Sequence, residues 1–182
     1  FQQSLLVELS TGEIVWVFTG KFGPFVEGYG TGAGTVNQPT SLDVDYQGNL
    51  YYTQAGDYFP VHMLVPNFSG DFTAYTSGFQ PEADDIMNPS LYSDAVDVAV
   101  DNDKNIYVVD QNNADVSVFD SKGRFFKIAG YESPRDTTSI MGKPVAVTVD
   151  DRGVVYVCDM DHGSVYRFKL SNSLDEDILP ED

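Results

Sequence analysis

The amino-acid sequence predicts an all-β protein whose short antiparallel strands are arranged as the blades of a β-propeller. Three segments align on one another without gaps, and each has an alternating apolar strand, an Asp, a polar turn and a second strand centred on Tyr. The aligned aspartates are Asp45, Asp101 and Asp150, so the segments recur after 56 and then 49 residues. A period near 50 residues built from short strands is typical of a radial array with one blade per repeat.

Each predicted strand follows from a local residue pattern. Apolar residues alternate along the first strand of a repeat, as in Val98 and Val100 or Val147 and Val149, and a period of two is typical of a half-buried strand. The turns YQGN, NDKN and DRGV then lead into the second strands, because short polar turns connect hairpins. VHMLV, VSVFD and VYRFK are the third strands, and SGDFTAYTS and SKGRFFKIA contain fourth strands. No long stretch has a helical apolar period.

The repeats predict a single partial propeller over residues 1–182. Its expected parts are a hairpin equivalent to the outer half of a preceding blade, three blades joined by Gly-, Pro- and Ser-rich connectors, and an acidic tail. Their boundaries are 4–18 for the hairpin, 39–79, 93–130 and 143–170 for the blades, and 171–182 for the tail.

Composition excludes several classes of function. The 182 residues contain 28 acidic and 10 basic side chains, a formal net charge of −18, and this argues against a nucleic acid or an anionic membrane surface as partner. The single cysteine, Cys158, excludes an intrachain disulfide and a multi-cysteine metal site. Its place in an alternating apolar run predicts a buried, unreactive thiol. The chain begins at Phe1 without a Met, which suggests a processed chain or a piece of a longer one, and an extracytoplasmic location, periplasmic or secreted, is favoured.

The second and third repeats resemble NHL repeats. PVAVTVDDRGVVYVCDMDHGSVYRF and AVDVAVDNDKNIYVVDQNNADVSVFDSKGRFF follow the NHL order of strand, Val-Asp, Gly-Asn-Ile-Tyr-Val-Asp, turn and Arg-Val-Phe strand. The chain departs from that pattern at Ala95, where Pro is usual, at Gln54, where the other repeats have Asp, and at Asp115 and Ser164, where Arg is usual. The resemblance implies a propeller of four-stranded blades. The family includes protein-binding and RNA-binding scaffolds, lyases and lactonase-like enzymes, and this chain is too acidic for the RNA-binding type.

The number of blades raises the question of closure. A hairpin and three blades amount to about three and a half blades, whereas propellers close with four to eight. An open array would leave sheet edges that associate readily. We therefore expect this chain to be part of a longer ring, such as a six-bladed one, or to be completed by a protein partner; a four-bladed closure would be tight.

Calcium is the cofactor that the acidic turns suggest. Asp101, Asp103 and Asn105 alternate as oxygen ligands do in an EF-hand loop. Counted from Asp101, however, the sixth position is Ile106 and the twelfth is Asn112, in place of the required Gly and Glu. Asp and Asn are also favoured in hairpin turns for their backbone conformations. We expect no cofactor, with Ca²⁺ as the one alternative.

The corners after the second strands contain the other candidate site residues. Asp110 and Asp159 end these strands, and Asn113 and His162 follow three residues later. One interpretation is that each carboxylate accepts backbone N–H bonds and locks its corner. The other is that the corners surround one mouth of the propeller. Asp110, Asp159 and Asn113 would then be metal ligands, and His162 would be the candidate for proton transfer.

Aromatic side chains in connectors and corners are the candidate anchors for a protein partner. These residues are Phe22, Phe25, Tyr29, Tyr58, Phe59 and Tyr131. The sequence favours a non-catalytic scaffold that mediates protein–protein interaction through its loops and an acidic face. The alternative is a lyase or lactonase-like propeller enzyme with a divalent cation on the central axis.

Overall fold

The computed structural model describes residues 38–54, 61–66, 72–74, 94–122, 125–129 and 139–169, which form three antiparallel sheets. In each sheet, strands that follow one another in the chain are hydrogen-bonded neighbours, as in a meander. The first blade has strands β1 Pro39–Val44, β2 Leu50–Gln54, β3 Val61–Pro66 and β4 Phe72–Ala74. The second blade has β5 Ala95–Val100, β6 Ile106–Asp110, β7 Asp115–Phe119 and β8 Phe125–Ala129. The third has β9 Pro144–Val149, β10 Val154–Asp159 and β11 Ser164–Lys169.

The turn between the first two strands has the same backbone conformation in all three blades. Its equivalent positions are Gly48, Lys104 and Gly153, with φ of 83°, 64° and 76°. Positive φ is free of steric cost for Gly and costs an ordinary L-residue about 1 kcal/mol. The second blade therefore tolerates a strained Lys at a position that the other two blades fill with Gly.

Neighbouring blades pack face to face, and each blade has two distinct faces. We define the front face as the side towards the preceding blade in the chain and the rear face as the side towards the following blade. At the first junction, Tyr51 and Val61 of the first blade's rear face share a buried cluster with Val98, Ile106 and Phe119 of the second blade's front face.

The second junction repeats this arrangement with larger side chains. Tyr107 and Val118 of the second blade's rear face lie in one buried cluster with Val147, Val157 and Phe168 of the third blade's front face. These side chains expose between 0% and 7% of their surface. Burial of apolar surface between the blades is thus the main stabilising contribution of the described core.

The first strands of successive blades, β1, β5 and β9, lie next to one another. Each is the edge strand of its sheet, and an edge strand presents backbone N–H groups that its own sheet does not satisfy. Carboxylates from the preceding blade accept two of them. Asp43 Oδ2 accepts a hydrogen bond from Val100 N at 2.8 Å, and Asp97 Oδ2 accepts one from Val147 N at 2.7 Å. Ser41 Oγ also donates to Asp97 Oδ1, so Asp97 joins all three strands.

The all-β prediction is confirmed, and the expectation of a buried thiol is wrong. Cys158 is exposed because it lies on the rear face of the third blade. Its equivalents Thr53 and Val109, in the two blades that have a following blade, are fully buried. Within the described ranges, no helix has the length and apolar character needed to cross a membrane.

Candidate functional site

We call the turn between the first and second strands of each blade its first corner. In each first corner, an aspartate accepts hydrogen bonds from groups of the same turn. Asp101 Oδ1 accepts hydrogen bonds from the backbone N–H groups of Asp103 at 2.9 Å and Asn105 at 2.8 Å. Its Oδ2 accepts the Asn105 amide at 2.8 Å and the Tyr107 hydroxyl at 2.9 Å. Two of the three residues that suggested a calcium loop, Asp101 and Asn105, are therefore hydrogen-bonded to each other.

The equivalent corner of the first blade has the same network. Asp45 accepts hydrogen bonds from the backbone N–H groups of Gln47 and Asn49, both at 2.9 Å, and from the Asn49 amide at 2.7 Å. Lys104 of the second blade adds a cation 3.4 Å from Asp45 Oδ2. Burial alone would raise the pKa of Asp45, but the hydrogen bonds from Asn49 and Gln47 and the charge of Lys104 together lower it. The carboxylate is ionised and held within its turn.

The third blade replaces this amide network with an arginine. Asp150 accepts the backbone N–H groups of Val154 and Arg152, both at 2.9 Å, and the Arg152 guanidinium at 2.8 Å. The hydrogen bond from Val154, followed by that from Arg152, lowers the pKa of Asp150. Val154 stands where the other repeats have Asn, so the arginine supplies the missing side-chain donor.

The second corners show the backbone hydrogen bonding expected of Asp110 and Asp159. Asp110 accepts the backbone N–H groups of Asn112 and Asn113 at 3.0 Å and the Asn113 amide at 3.1 Å. Burial raises its pKa, and the bonds from Asn113 and Asn112 oppose this without cancelling it. A carboxylate that is fully buried beside other acidic groups is harder to ionise than one in water.

Asp159 has more backbone donors than Asp110. It accepts the N–H groups of Gly142 at 2.6 Å and Lys143 at 3.0 Å, from the segment before β9, and those of Asp161 at 3.0 Å and His162 at 3.2 Å in its own corner. Burial would raise the pKa of Asp159, but the donors led by Lys143 and Gly142 lower it overall. Asp159 thus connects the segment before β9 to the corner that follows β10.

His162 is oriented by two oxygen atoms. Its Nδ1 lies 3.2 Å from Asp159 Oδ2 and 3.0 Å from the Tyr166 hydroxyl oxygen. The Tyr166 hydroxyl donates its own proton to Ile140 O at 2.9 Å, so its oxygen accepts and Nδ1 carries the ring proton in the neutral tautomer. Nε2 is then the acceptor. The His162 side chain is 48% exposed, and its Nε2 lies beside Gly142, where an added Cβ would meet it at 3.1 Å.

The structure brings the predicted site residues together in pairs. Asp110 lies with Asn113, and Asp159 lies with His162. Across the described part of the chain, no three His, Cys, Asp or Glu side chains form a group that could hold a metal ion. The predicted aromatic anchors, the hairpin 4–18 and the tail 171–182 lie outside the described residues; the anchors are Phe22, Phe25, Tyr29, Tyr58, Phe59 and Tyr131.

Three residues with a role in these sites or between the blades were not predicted. Tyr166 of β11 orients His162, which lies four residues earlier in the hairpin turn between β10 and β11. Asp43 and Asp97 bridge blades from non-equivalent positions of the repeat, so the alignment of the repeats contains no signal for them.

The rear face of the third blade exposes positions that are buried in the other blades. Val165 is 65% exposed, whereas its equivalents Val61 and Val116 are both 0% exposed. The neighbouring Cys158 pairs with Val165 across the two strands and is also exposed. This face has no covering blade among the described residues, and it combines the apolar Val165 with Arg167, which stands where the other blades have Met63 and Val118.

The front face of the first blade shows the complementary difference. Leu42 is 64% exposed, whereas its equivalents Val98 and Val147 are 3% and 7% exposed. Val44 on the same face is 49% exposed. Leu50, Tyr52 and Leu64 on the same face are buried, with 5%, 3% and 0% of their surface exposed, so the exposed part of this face is its first strand.

The repeated meanders of four, four and three described strands, packed face to face with their first strands side by side, define this chain as part of a β-propeller. No family model and no curated protein sequence matches it. Its fold is similar to that of the Cps50 (Swd1) β-propeller domain of Myceliophteria thermophila, with a TM-score of 0.52 and 15% identity over 76% of this chain and 39% of that one.

Two further solved structures are similar in the same way. Hydrazine synthase of Kuenenia stuttgartiensis has a TM-score of 0.51 at 12% identity, over 88% of this chain and 38% of that one. An auxiliary nutrient binding protein from Bacteroides ovatus has a TM-score of 0.51 at 13% identity, over 80% of this chain and 32% of that one. The chain spans about two fifths or less of each of these structures. They include an enzyme and a binding protein, so the likeness concerns the fold and not one function.

Proposed function

We propose that this chain is a non-catalytic, NHL-like propeller scaffold that binds protein through its exposed surfaces. The observation that carries the proposal is the exposure of Val165 at 65%, where the equivalent residues are completely buried. Exposed apolar surface of the kind that elsewhere forms a core is favourable to cover, and such patches mark interaction sites. The blade face supplements the loops that the sequence suggested.

The arrangement of the carboxylates supports binding over catalysis. The acceptor atoms of Asp45, Asp101, Asp110, Asp150 and Asp159 take backbone and side-chain donors of their own corners. A catalytic carboxylate needs an oxygen directed at the substrate. With a net charge of −18, the surface would favour a partner with basic residues around the contact and would accelerate its association at low ionic strength.

Site-specific photo-crosslinking tests the proposal. A photoreactive phenylalanine analogue at position 165 should give a protein adduct of discrete mass, and unlabelled protein should compete for it. The same analogue at Asp151, an exposed corner residue of the same blade, is the matched control. Equal or absent adducts at both positions would contradict a specific binding face.

The second candidate function is proton transfer by His162 in a lyase or lactonase-like propeller. The observation that favours it is the Asp159–His162–Tyr166 arrangement, which fixes the ring and leaves Nε2 as an acceptor. Melting the protein with EDTA and with added Ca²⁺ tests the divalent cation that such an enzyme would require. A shift of several degrees would support this alternative and an unchanged midpoint would count against it. The extracytoplasmic location stays a prediction.

A further inference from the structure

We propose that the rear face of the third blade binds an acidic, extended segment of a partner protein. This inference rests on the proposed function, since it names the chemistry of the partner that covers Val165. The face is the side of β9–β11 that carries Val165, Arg167 and Lys169. It differs from the rear faces of the first two blades in the sign of its charge.

Eight side chains of the strands form this face in three rows. Cross-strand partners lie on the same side of a sheet, so the pairing of β10 with its two neighbours defines the rows. The first row is apolar, the second ends in a guanidinium group and the third ends in an ammonium group. In this order the rows are Ala146, Cys158 and Val165; Thr148, Tyr156 and Arg167; and Val154 and Lys169.

The face is cationic although the chain is strongly acidic. None of these eight side chains is a carboxylate, whereas Arg167 and Lys169 each carry a positive charge. The rear faces of the first two blades instead have a carboxylate on the first strand, Asp43 or Asp97, which accepts an N–H of the next blade. Both of those blades have an apolar side chain at the position of Arg167. The third blade therefore differs in charge from the two rear faces that receive a following blade.

A further blade of the same type fits this face poorly. The front faces that meet a rear face inside the chain are apolar, as in the clusters that contain Phe119 and Phe168. Such a surface on Arg167 would bury a positive charge beside groups that cannot pair with it, which is strongly unfavourable. A covering surface therefore has to supply carboxylates. An arginine has several N–H donors, so Arg167 can bind a carboxylate of a partner in addition to groups of its own chain.

The rows also determine the spacing that the partner has to match. Neighbouring rows are two residues apart along β11, which is about 7 Å. An extended segment along β11 meets Val165, Arg167 and Lys169 with alternate residues. The matching side chains are one apolar residue, which covers the 65% exposed Val165, and two acidic residues next to the cations.

The net charge of −18 does not prevent this contact. At physiological salt, charges are screened over about 8 Å, so an acidic segment on the face interacts mainly with Arg167 and Lys169. The third cation nearby, Arg152, is paired with Asp150 at 2.8 Å. Carboxylates at the centre of the partner surface and basic residues around them would match the face and its acidic surroundings.

Fluorescence anisotropy with the full chain and defined peptides tests the charge preference. The probe is a labelled peptide with Leu, Glu and Glu at alternate positions among Ser and Gly residues, and its two controls carry Gln or Lys in place of Glu. At about 0.15 M salt, we expect the acidic peptide to bind about five- to tenfold more tightly than the Gln peptide, as two ion pairs at a partly exposed site allow. Absence of binding, equal binding of these two peptides, or tighter binding of the Lys peptide would overturn the proposal.

Substitutions on the face locate the effect. Lys169→Gln and Arg167→Gln should each weaken binding of the acidic peptide by about two- to fivefold. Lys122→Gln, which removes an exposed cation in the turn after β7, is the matched control and should leave binding unchanged. Lys169→Glu, at an exposed position, should remove the preference for the acidic peptide, and it provides the test if Arg167→Gln disturbs folding. A preference that survives in Lys169→Glu would contradict the assignment.

The photoreactive analogue at position 165 separates this inference from the proposed function. An adduct with the acidic peptide that unlabelled peptide competes would support both. A competed adduct with a different protein that persists in Arg167→Gln and Lys169→Gln would leave the binding function standing and show that only the acidic chemistry is wrong. An adduct within one chain, between position 165 and residues 171–182 with their five acidic side chains, would identify the chain's own tail as the occupant and overturn a separate partner.

Discussion

Replacing the Asp159 carboxylate with an amide tests how the third blade is fastened. In Asp159→Asn, one oxygen can still accept the N–H groups of Lys143, Asp161 and His162. The new NH₂ group faces the N–H of Gly142, which now donates to Oδ2 at 2.6 Å. Two donors then oppose each other in a buried site, and hydrogen bonds to a charged acceptor are lost.

The expected destabilisation follows from those losses. A buried hydrogen bond to a charged group contributes about 1.5–3 kcal/mol, and a buried donor without an acceptor costs about 1–3 kcal/mol. Because the effects overlap, we expect Asp159→Asn to lower the free energy of unfolding by about 3 kcal/mol. For a chain of this size that corresponds to a decrease in Tm of about 6–12 °C. Asp151→Asn, at an exposed position in the turn at the other end of β10, should stay within about 0.5 kcal/mol of the wild type.

The pH dependence separates the loss of charge from a general distortion. The pKa of Asp159 is lowered in the fold from its usual value of 3.8, so its contribution is complete above the unfolded-state pKa and is lost as pH falls through the folded-state pKa. Urea unfolding should therefore show a difference between wild type and Asp159→Asn that is full at pH 7 and narrows below about pH 4. A difference that is constant with pH, or below about 0.5 kcal/mol at pH 7, would refute the reasoning.

Two further substitutions test the corners and the inner strands. Tyr107→Phe removes a hydroxyl that donates to Asp101 at 2.9 Å and should lower the free energy of unfolding in urea by about 1–1.5 kcal/mol. Tyr51→Phe, whose hydroxyl lies 3.4 Å from Asp45, should lower it by less. Equal losses for the two variants would contradict the argument from distance. Asp97→Ala leaves Val147 N and the Ser41 hydroxyl without their acceptor and should lower the free energy of unfolding by about 2–4 kcal/mol in the same measurement. A loss below about 1 kcal/mol would show that β1, β5 and β9 do not depend on Asp97.

The sequence was sufficient for features that recur in every repeat. The strands follow from alternation, and the turns between the first and second strands follow from short polar segments that begin with Asp, although the bonds of Asp101 with Asn105 and Tyr107 were not predicted. These interactions are local, so residue spacing determines which groups meet.

Interactions between blades could not be predicted in this way. Asp43 and Asp97 reach backbone groups 57 and 50 residues away, and no pattern within one repeat identifies those partners. The exposure of Cys158 has the same origin. Its strand alternates like its equivalents, but whether a residue on that face is buried depends on the presence of a following blade.

The two inter-blade carboxylates make the order of the blades part of the structure. Asp43 occupies the position that corresponds to Ala99 in the second blade, while Asp97 occupies the position that corresponds to Ser41 in the first. Each bridge therefore lies at a different height along the central axis, and each suits one neighbour only. A shuffled chain in which the third blade followed the first directly would oppose Asp43 to the N–H of Val149, two residues from the N–H of Val147 that Asp97 now holds. Although the blades share one architecture, these modules are not interchangeable parts.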